Sequence, residues 1–237
     1  YITFNETQSY TQNNPVIELM TGDTLNLWVY NLDTIGHDFI IDGVSAISFI
    51  SPGDSIFIQT VFPDMGAYIY HDPLDYPANT YLGLGGMIVV RNHSQSCFYW
   101  NMKEHDAEWN NTLANGGQVL WADHAPDYFT INGNSNPNIN TDASARVVGS
   151  VGDTLHIFMA NTGLSIHSIH FHGYHAAIEY SSKYPSHVGR EKDTFPVYPM
   201  ESLVLRLIPH QPGEYPVHDH NLVAVTGNQV YPNGMFT

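Results

Sequence analysis

The chain has 237 residues, 43% of them hydrophobic and 13% aromatic, enough to bury a substantial core as one large domain or two small ones. Its formal charge is −16, with seven Lys plus Arg against 23 Asp plus Glu; phosphate would be repelled, which argues against nucleic acid and anionic lipid as partners. The same acidity suits attraction of cations or solubility in a salty exterior. Fourteen Pro, nineteen Gly and fifteen Tyr point to a turn-rich β protein. No stretch approaches the length of a membrane span and no signal peptide remains at Tyr1, so the chain reads as a processed mature form or as the interior of a longer one.

In chain order, the first clear element is Gly22-Asp23-Thr24-Leu25-Asn26-Leu27-Trp28-Val29-Tyr30-Asn31, turn residues followed by alternating strand positions. It recurs as Gly152-Asp153-Thr154-Leu155-His156-Ile157-Phe158-Met159-Ala160-Asn161, an offset of 130 that also carries His37 onto His167, Asp42 onto His172 and Gly43 onto Gly173. Further on, Gly66-Ala67-Tyr68-Ile69-Tyr70-His71-Asp72-Pro73 pairs with Gly213-Glu214-Tyr215-Pro216-Val217-His218-Asp219-His220 at an offset of 147. The second copy therefore carries about seventeen extra residues, expected as a variable loop between Gly173 and Met200. The duplication predicts an all-β fold of two tandem Greek-key sandwiches, residues 1–93 and 98–237, joined through His93-Ser94-Gln95-Ser96. Helix signals are nearly absent, and Asp106 and Trp109 read as scaffold. The chain stops at Gly234-Met235-Phe236-Thr237, short of the strand that follows Gly86-Met87 in the first copy, which predicts further domains in the native protein.

The chemistry concentrates in Ser165-Ile166-His167-Ser168-Ile169-His170-Phe171-His172-Gly173 and in Val217-His218-Asp219-His220. Residues two apart on a strand share a face, so His170 and His172 point one way, as do His218 and His220. Two His-x-His strands side by side make a four-imidazole cluster, which suits copper, zinc, iron or nickel. Asp72 and Asp219 read as ligands, as partners that orient imidazoles or as solvent-facing turn residues; lying between same-face positions they should point away from that cluster, and Asp219 with His167 offers a separate hard site suited to zinc or copper(II). His93, His105, His124, His156, His175, His187 and His210 lack paired spacing and read as surface or structural residues. The single cysteine, Cys97, cannot form an intrachain disulfide, leaves the redox compartment open and has no ligand neighbours at metal spacing. Asn5-Glu6-Thr7, Asn92-His93-Ser94 and Asn110-Asn111-Thr112 match the glycosylation sequon. A nucleophile elbow, a Gly-rich phosphate loop and a Cys-pair zinc motif are all absent from the sequence.

His167-x-x-His170-x-His172-Gly173, then His218-x-His220, then Gly234-Met235 resembles the C-terminal copper motifs of multicopper oxidases. The duplication resembles two-domain laccases and copper nitrite reductases, built of two cupredoxin domains. Phe4-Asn5-Glu6-Thr7-Gln8-Ser9-Tyr10 is similar to a ceruloplasmin-like opening strand, and Phe129-Thr130-Ile131-Asn132-Gly133 to a frequent multicopper-oxidase phrase. The resemblance implies a blue, type 1 copper with a Cys at the position of Asp219 and a His at about Ala224; neither is present, and only His167 and Met235 match. In the first copy Asp72 likewise stands at the Cys position, with His37 the matching imidazole. A blue site needs a soft thiolate where a carboxylate is a hard donor, so both copies are expected to lack it.

The resemblance further implies that His170, His172, His218 and His220 match positions binding type 2 and type 3 copper. First-copy positions would complete such a site from a neighbouring subunit of a trimer: Ile40, Asp42, His71 and Pro73. Five His with Asp42 as an oxygen ligand, in place of eight His, favour one or two metal ions over three. The expected ligand set is thus His170, His172, His218, His220, His71, His167, His37 and Asp42, for copper, with zinc as the alternative. The leading expectation is an extracytoplasmic multicopper-oxidase-like protein without blue copper, oxidoreductive only where substrate binds the His site directly. The alternatives are a non-catalytic copper or zinc binder and a scaffold module of a larger surface protein.

Overall fold

The structure, a computed structural model, describes residues 2–11 and 13–237; Tyr1, on which the reading of a processed start rested, lies outside the described residues. The N-terminal repeat comprises β1 (Val16–Met20), β2 (Thr24–Tyr30), β3 (His37–Ile41), β4 (Ser48–Ile50), β5 (Ser55–Val61), β6 (Gly66–His71) and β7 (Gly85–Arg91), with the short helix α1 (Ala78–Leu82). The C-terminal repeat comprises β8 (Ser96–His105), β9 (Tyr128–Ile131), β10 (Leu155–Asn161), β11 (His167–Phe171), β12 (Ala176–Ser181), β13 (Glu191–Lys192), β14 (Thr194–Val197), β15 (Glu201–Leu207) and β16 (Val217–Asp219), with helix α2 (Ala107–Ala114). The fold is all-β, two cupredoxin-like sandwiches in tandem.

Alternation builds each sandwich. In β2, Leu25, Leu27 and Val29 turn inward while Thr24, Asn26, Trp28 and Tyr30 turn out. The inward set packs on Phe39, Ile41, Phe62, Tyr70 and Ile88. The β2-β5 ribbon thereby covers the sheet ordered β1-β7-β6-β3-β4. In the C-terminal repeat the sheet β13-β12-β15-β10-β8-β9 and the sheet β14-β11-β16 enclose Trp100, Met102, Phe129, Ile157, Ile169, Phe171 and Leu205. Burying one such side chain stabilises by about 1.5–3 kcal/mol, so these cores dominate the favourable side of folding.

The duplicated strands keep their register. Trp28 lies opposite Phe57 in the β2-β5 pair, and the corresponding residues Phe158 and Val204 lie opposite each other in the β10-β15 pair. Their surroundings differ. Strand β10 is buried at all seven positions, because its outer face sits on the first sandwich: Phe158, Ala160, Val204 and Tyr99 pack on Ala67, Ile69, Met87 and Val89. Ser202 Oγ donates to the Ala67 carbonyl at 2.5 Å within the same seam.

Two expectations are corrected. Residues 173–200 are not simply a loop: Ala176 to Ser181 and Thr194 to Val197 alternate well enough to add β12 and β14 to the two sheets, with β13 between them. Residues 107–114 form a helix, α2, despite the weak helical signal. Its start is fixed by Asp106, whose carboxylate accepts from the Trp109 backbone N–H at 3.0 Å, so these two scaffold residues act as a helix cap.

Candidate metal centre

Antiparallel pairing of β11 with β16 places His170 directly opposite His218. His172 and His220 follow the ends of the two strands, and the four rings gather on one edge of the C-terminal sandwich. Ring centroids are 4.7 Å apart for His170 and His172, 5.0 Å for His172 and His218, and 5.6 Å for His170 and His220. His172 and His220 are exposed, and His170 and His218 half-buried. Partial desolvation and the three neighbouring rings hold the His172 imidazole below its ordinary pKa, which favours the neutral, ligating form.

Two of the rings are oriented by their far nitrogens. His170 Nδ1 lies 2.9 Å from Thr194 Oγ1 and 3.2 Å from the Asp193 carbonyl, and His218 Nδ1 lies 2.9 Å from the Asp219 carbonyl. Each Nε2 is thereby left facing the cluster, the arrangement by which outer hydrogen bonds orient metal-binding histidines. His172 Nε2 and His218 Nε2 are 2.9 Å apart. Two ligands each about 2.0–2.1 Å from one ion at a near-right angle are separated by about the same distance. Among the described residues no three His, Cys, Asp or Glu side chains already close on one point. The donor set, four imidazoles of which two have anchored Nδ1 atoms, fits copper.

His167, on the same strand, belongs to a different environment. It is fully buried, its Nδ1 2.7 Å from Asp219 Oδ2 and its Nε2 3.1 Å from Glu104 Oε2, with both carboxylates equally buried. The remaining oxygens are satisfied by backbone: Ser168 N–H and Asn221 N–H donate to Asp219 Oδ1, each at 2.9 Å, and Leu164 and Ser165 N–H donate to Glu104 Oε1. Burial pushes the His167 imidazole down, but the hydrogen bonds to Asp219 and Glu104 outweigh it and hold its pKa at about 9. Burial raises Glu104, and the hydrogen bonds and charge of His167 with the two backbone donors bring it down to about 2. Met235 and Ala224 close this pocket: Met235 accepts from the Asp219 N–H at 3.2 Å, and its own N–H reaches the Ala224 carbonyl at 2.8 Å. The separate hard site imagined for His167 with Asp219 has no seat, because the two groups are in direct hydrogen-bond contact and both ring nitrogens are taken.

The N-terminal repeat carries the same clasp. His37 Nδ1 lies 2.7 Å from Asp72 Oδ2 and His37 Nε2 lies 3.3 Å from Asp33 Oδ2. Asp38 and Leu74 N–H donate to Asp72 Oδ1 as Ser168 and Asn221 do to Asp219. His71 and Asp42 pair with each other, Nε2 to Oδ1 at 3.0 Å. Asp42 borders a small cleft at the seam with Tyr180 and Ser202. Among the described residues no hydrogen bond or ring contact joins this pair to the four-histidine edge. A separate cavity of about 860 Å³, lined by Asn13, Asn14, Asn101, Lys103, Asn132 and Asp142, touches none of the four histidines.

Sequence reasoning missed Glu104. It lies 63 residues from His167 and reaches it only because β8 and β11 close on one core. Of the histidines without paired spacing, His175 and His210 are exposed, whereas His156 is a buried structural residue with its Nε2 3.0 Å from Glu179 Oε2 and its ring stacked on His93 at 3.8 Å. Cys97, half-buried with Sγ 3.3 Å from the Gln95 carbonyl, has its thiol pushed up by desolvation and lies outside the histidine clusters.

Solved structures of similar shape carry the same architecture. A blue copper oxidase from Nitrosomonas europaea superposes with a TM-score of 0.81 at 22% identity, over 100% of this chain and 81% of that one. A copper nitrite reductase from the same organism gives 0.72 at 16% identity, over 95% of this chain and 81% of that one. A laccase from Botrytis aclada gives 0.70 at 17%, over 95% of this chain and 47% of that one. No curated protein matches the chain significantly by sequence. The family model for multicopper oxidase matches residues 111–231, more than half of the chain and a span that holds all four clustered histidines, and the chain belongs to that family.

Proposed function

We propose that the protein binds copper at the edge formed by His170, His172, His218 and His220, and that it has no blue copper in either repeat. The observation that carries this reading is the carboxylate of Asp219 on His167 Nδ1 at 2.7 Å, in the place where the family resemblance puts a thiolate. His170, His172, His218 and His220 would hold the copper, which would supply one-electron redox chemistry and Lewis acidity there. The residues of the chain do the rest: Thr194 and the Asp193 and Asp219 carbonyls aim two imidazoles, and the open edge lets a small reductant approach the ligands directly. Without a thiolate relay, oxidation of substrates held at a distance is expected to be very slow. The exposure of His172 and His220 favours a second reading, an exchangeable copper carrier without turnover.

The units of this reading are residues 1–93 and 98–237, with His71 and Asp42 of a neighbouring subunit closing the edge in a trimer. An extracytoplasmic setting is supported by the charge of −16. No helix among the described residues is long and apolar enough to cross a membrane. The test is elemental analysis with spin resonance on protein purified without added metal, before and after copper loading. Copper at one or more per chain with a type 2 signal, lost on combining His170→Ala and His220→Ala, supports the site; an intense blue colour overturns it. Oxygen uptake with small reductants separates oxidase from carrier.

A further inference from the structure

The outer face of the β2-β5 ribbon carries Trp28, Tyr30 and Phe57, which are 56%, 63% and 47% exposed. Trp28 and Phe57 sit directly across the ribbon with ring centroids 5.0 Å apart, and Trp28 stacks on Tyr30 at 6.3 Å. Asn26 and Gln59 extend the face, joined by a side-chain hydrogen bond of 2.8 Å. A ladder of three mutually braced aromatics is costly to leave in water and loses little side-chain freedom on docking.

The internal repeat shows what such a face is for. By register, Trp28, Phe57, Tyr30 and Ser55 correspond to Phe158, Val204, Ala160 and Ser202 of the second repeat. Those four residues form the seam between the sandwiches, where Phe158, Ala160 and Val204 are completely buried. The face that joins one sandwich to another is therefore present twice, and in the first repeat it has no sandwich on it. The intrachain seat for this face, Ala67, Ile69, Met87 and Val89, is filled. Its counterparts in the second repeat are Glu214, Pro216, Met235 and Thr237. Of these, Glu214 has a side chain 97% exposed and Met235 is buried in the core, so a head-to-tail seat is not built. The aromatic face itself, with Asn26, Trp28, Tyr30, Phe57 and Gln59, carries no charge on a chain of −16. On such a surface two chains of this charge can meet without strong repulsion.

We infer that the Trp28-Tyr30-Phe57 face pairs with the same face of a second copy about a two-fold axis. An isologous contact needs no second seat and closes on itself. It lies on the sheet opposite the one that carries His71, so it does not compete with a three-fold arrangement around the histidine edge and does not depend on copper.

The test is sedimentation velocity on metal-stripped full chain at micromolar concentration, with Trp28→Glu plus Phe57→Glu as the variant and circular dichroism as the fold control. The expected particle holds an even number of chains, two or, if the three-fold also forms, six, and the variant halves its mass. Asn26→Lys plus Gln59→Lys, polar for polar at the margin, is the second variant and shifts the same equilibrium at least tenfold. A monomer, a particle with an odd number of chains, or a mass unchanged in both variants overturns the pairing. Copper content, measured separately, tests the histidine edge, so the two readings fail independently.

Discussion

Asp219 Oδ2 lies 2.7 Å from His167 Nδ1 in a pocket from which water is excluded, and Asp72 stands at the same 2.7 Å from His37 in the first repeat. Each pair joins neighbouring strands of one sheet, β11 with β16 and β3 with the end of β6, so a short hydrogen bond stands where the family resemblance puts a copper–thiolate bond. Removing one member of a fully buried pair leaves the other charge unpaired and costs about 3–5 kcal/mol. Asp219→Ala leaves His167 with Glu104 as its one remaining carboxylate, so the expected loss of unfolding stability stays below that limit, and Asp72→Ala is expected to lose less because the first-repeat clasp is the more exposed of the two. Urea denaturation of the two variants checks the order.

The same clasp sets a pH dependence. His167 is raised from 6.5 to about 9, so its contribution is fully present below pH 6.5 and is lost as pH rises through 9. Glu104 is lowered from 4.5 to about 2, so its contribution is present above pH 4.5 and is lost as pH falls through 2. Together they place the most stable window between pH 4.5 and 6.5 and predict an alkaline loss between 6.5 and 9. Glu104→Gln removes a carboxylate from His167 and moves the alkaline loss to lower pH; an unshifted alkaline limb in thermal melts would remove His167 as its source.

Lys103 has the opposite sign. It is completely buried, with Nζ 2.7 Å from the Thr80 carbonyl, and desolvation pushes its pKa from 10.5 down to about 8. Folding is therefore opposed by its charge below pH 8 and relieved as pH rises from 8 toward 10.5. Lys103→Met keeps the length of the side chain without the charge and is expected to raise the melting temperature at pH 7 and to change it little at pH 10.

Thr194 tests whether the His170 ring is held for a metal. Its Oγ1 lies 2.9 Å from His170 Nδ1, and loss of such an orienting bond lowers metal affinity about 10–100-fold. Thr194→Val is expected to weaken copper binding by about tenfold at unchanged stoichiometry, read by titration against a chelator. Unchanged affinity would mean that His170 is not a ligand or that the Asp193 carbonyl alone orients it.

How much was legible in the sequence follows the reach of each interaction. The duplicated Gly-Asp-Thr-Leu strands and their alternation carry the two sandwiches, because strand periodicity depends only on neighbours along the chain. The His-x-His spacing carries the shared face of His170 with His172 and of His218 with His220, for the same reason. The absence of Cys at Asp219 and Asp72 is likewise readable, since it is a matter of residue type. The pairing of β11 with β16 that brings the four rings together, the Glu104 carboxylate arriving from β8 and the burial of both faces of β10 were decided by the tertiary structure. Two copies of one strand, β2 and β10, share pattern and register, yet Trp28 is left in water and Phe158 is enclosed. Sequence determines which faces are apolar and which groups can ligate; only packing decides what each face meets, because contact is a property of the folded surface and not of the residue.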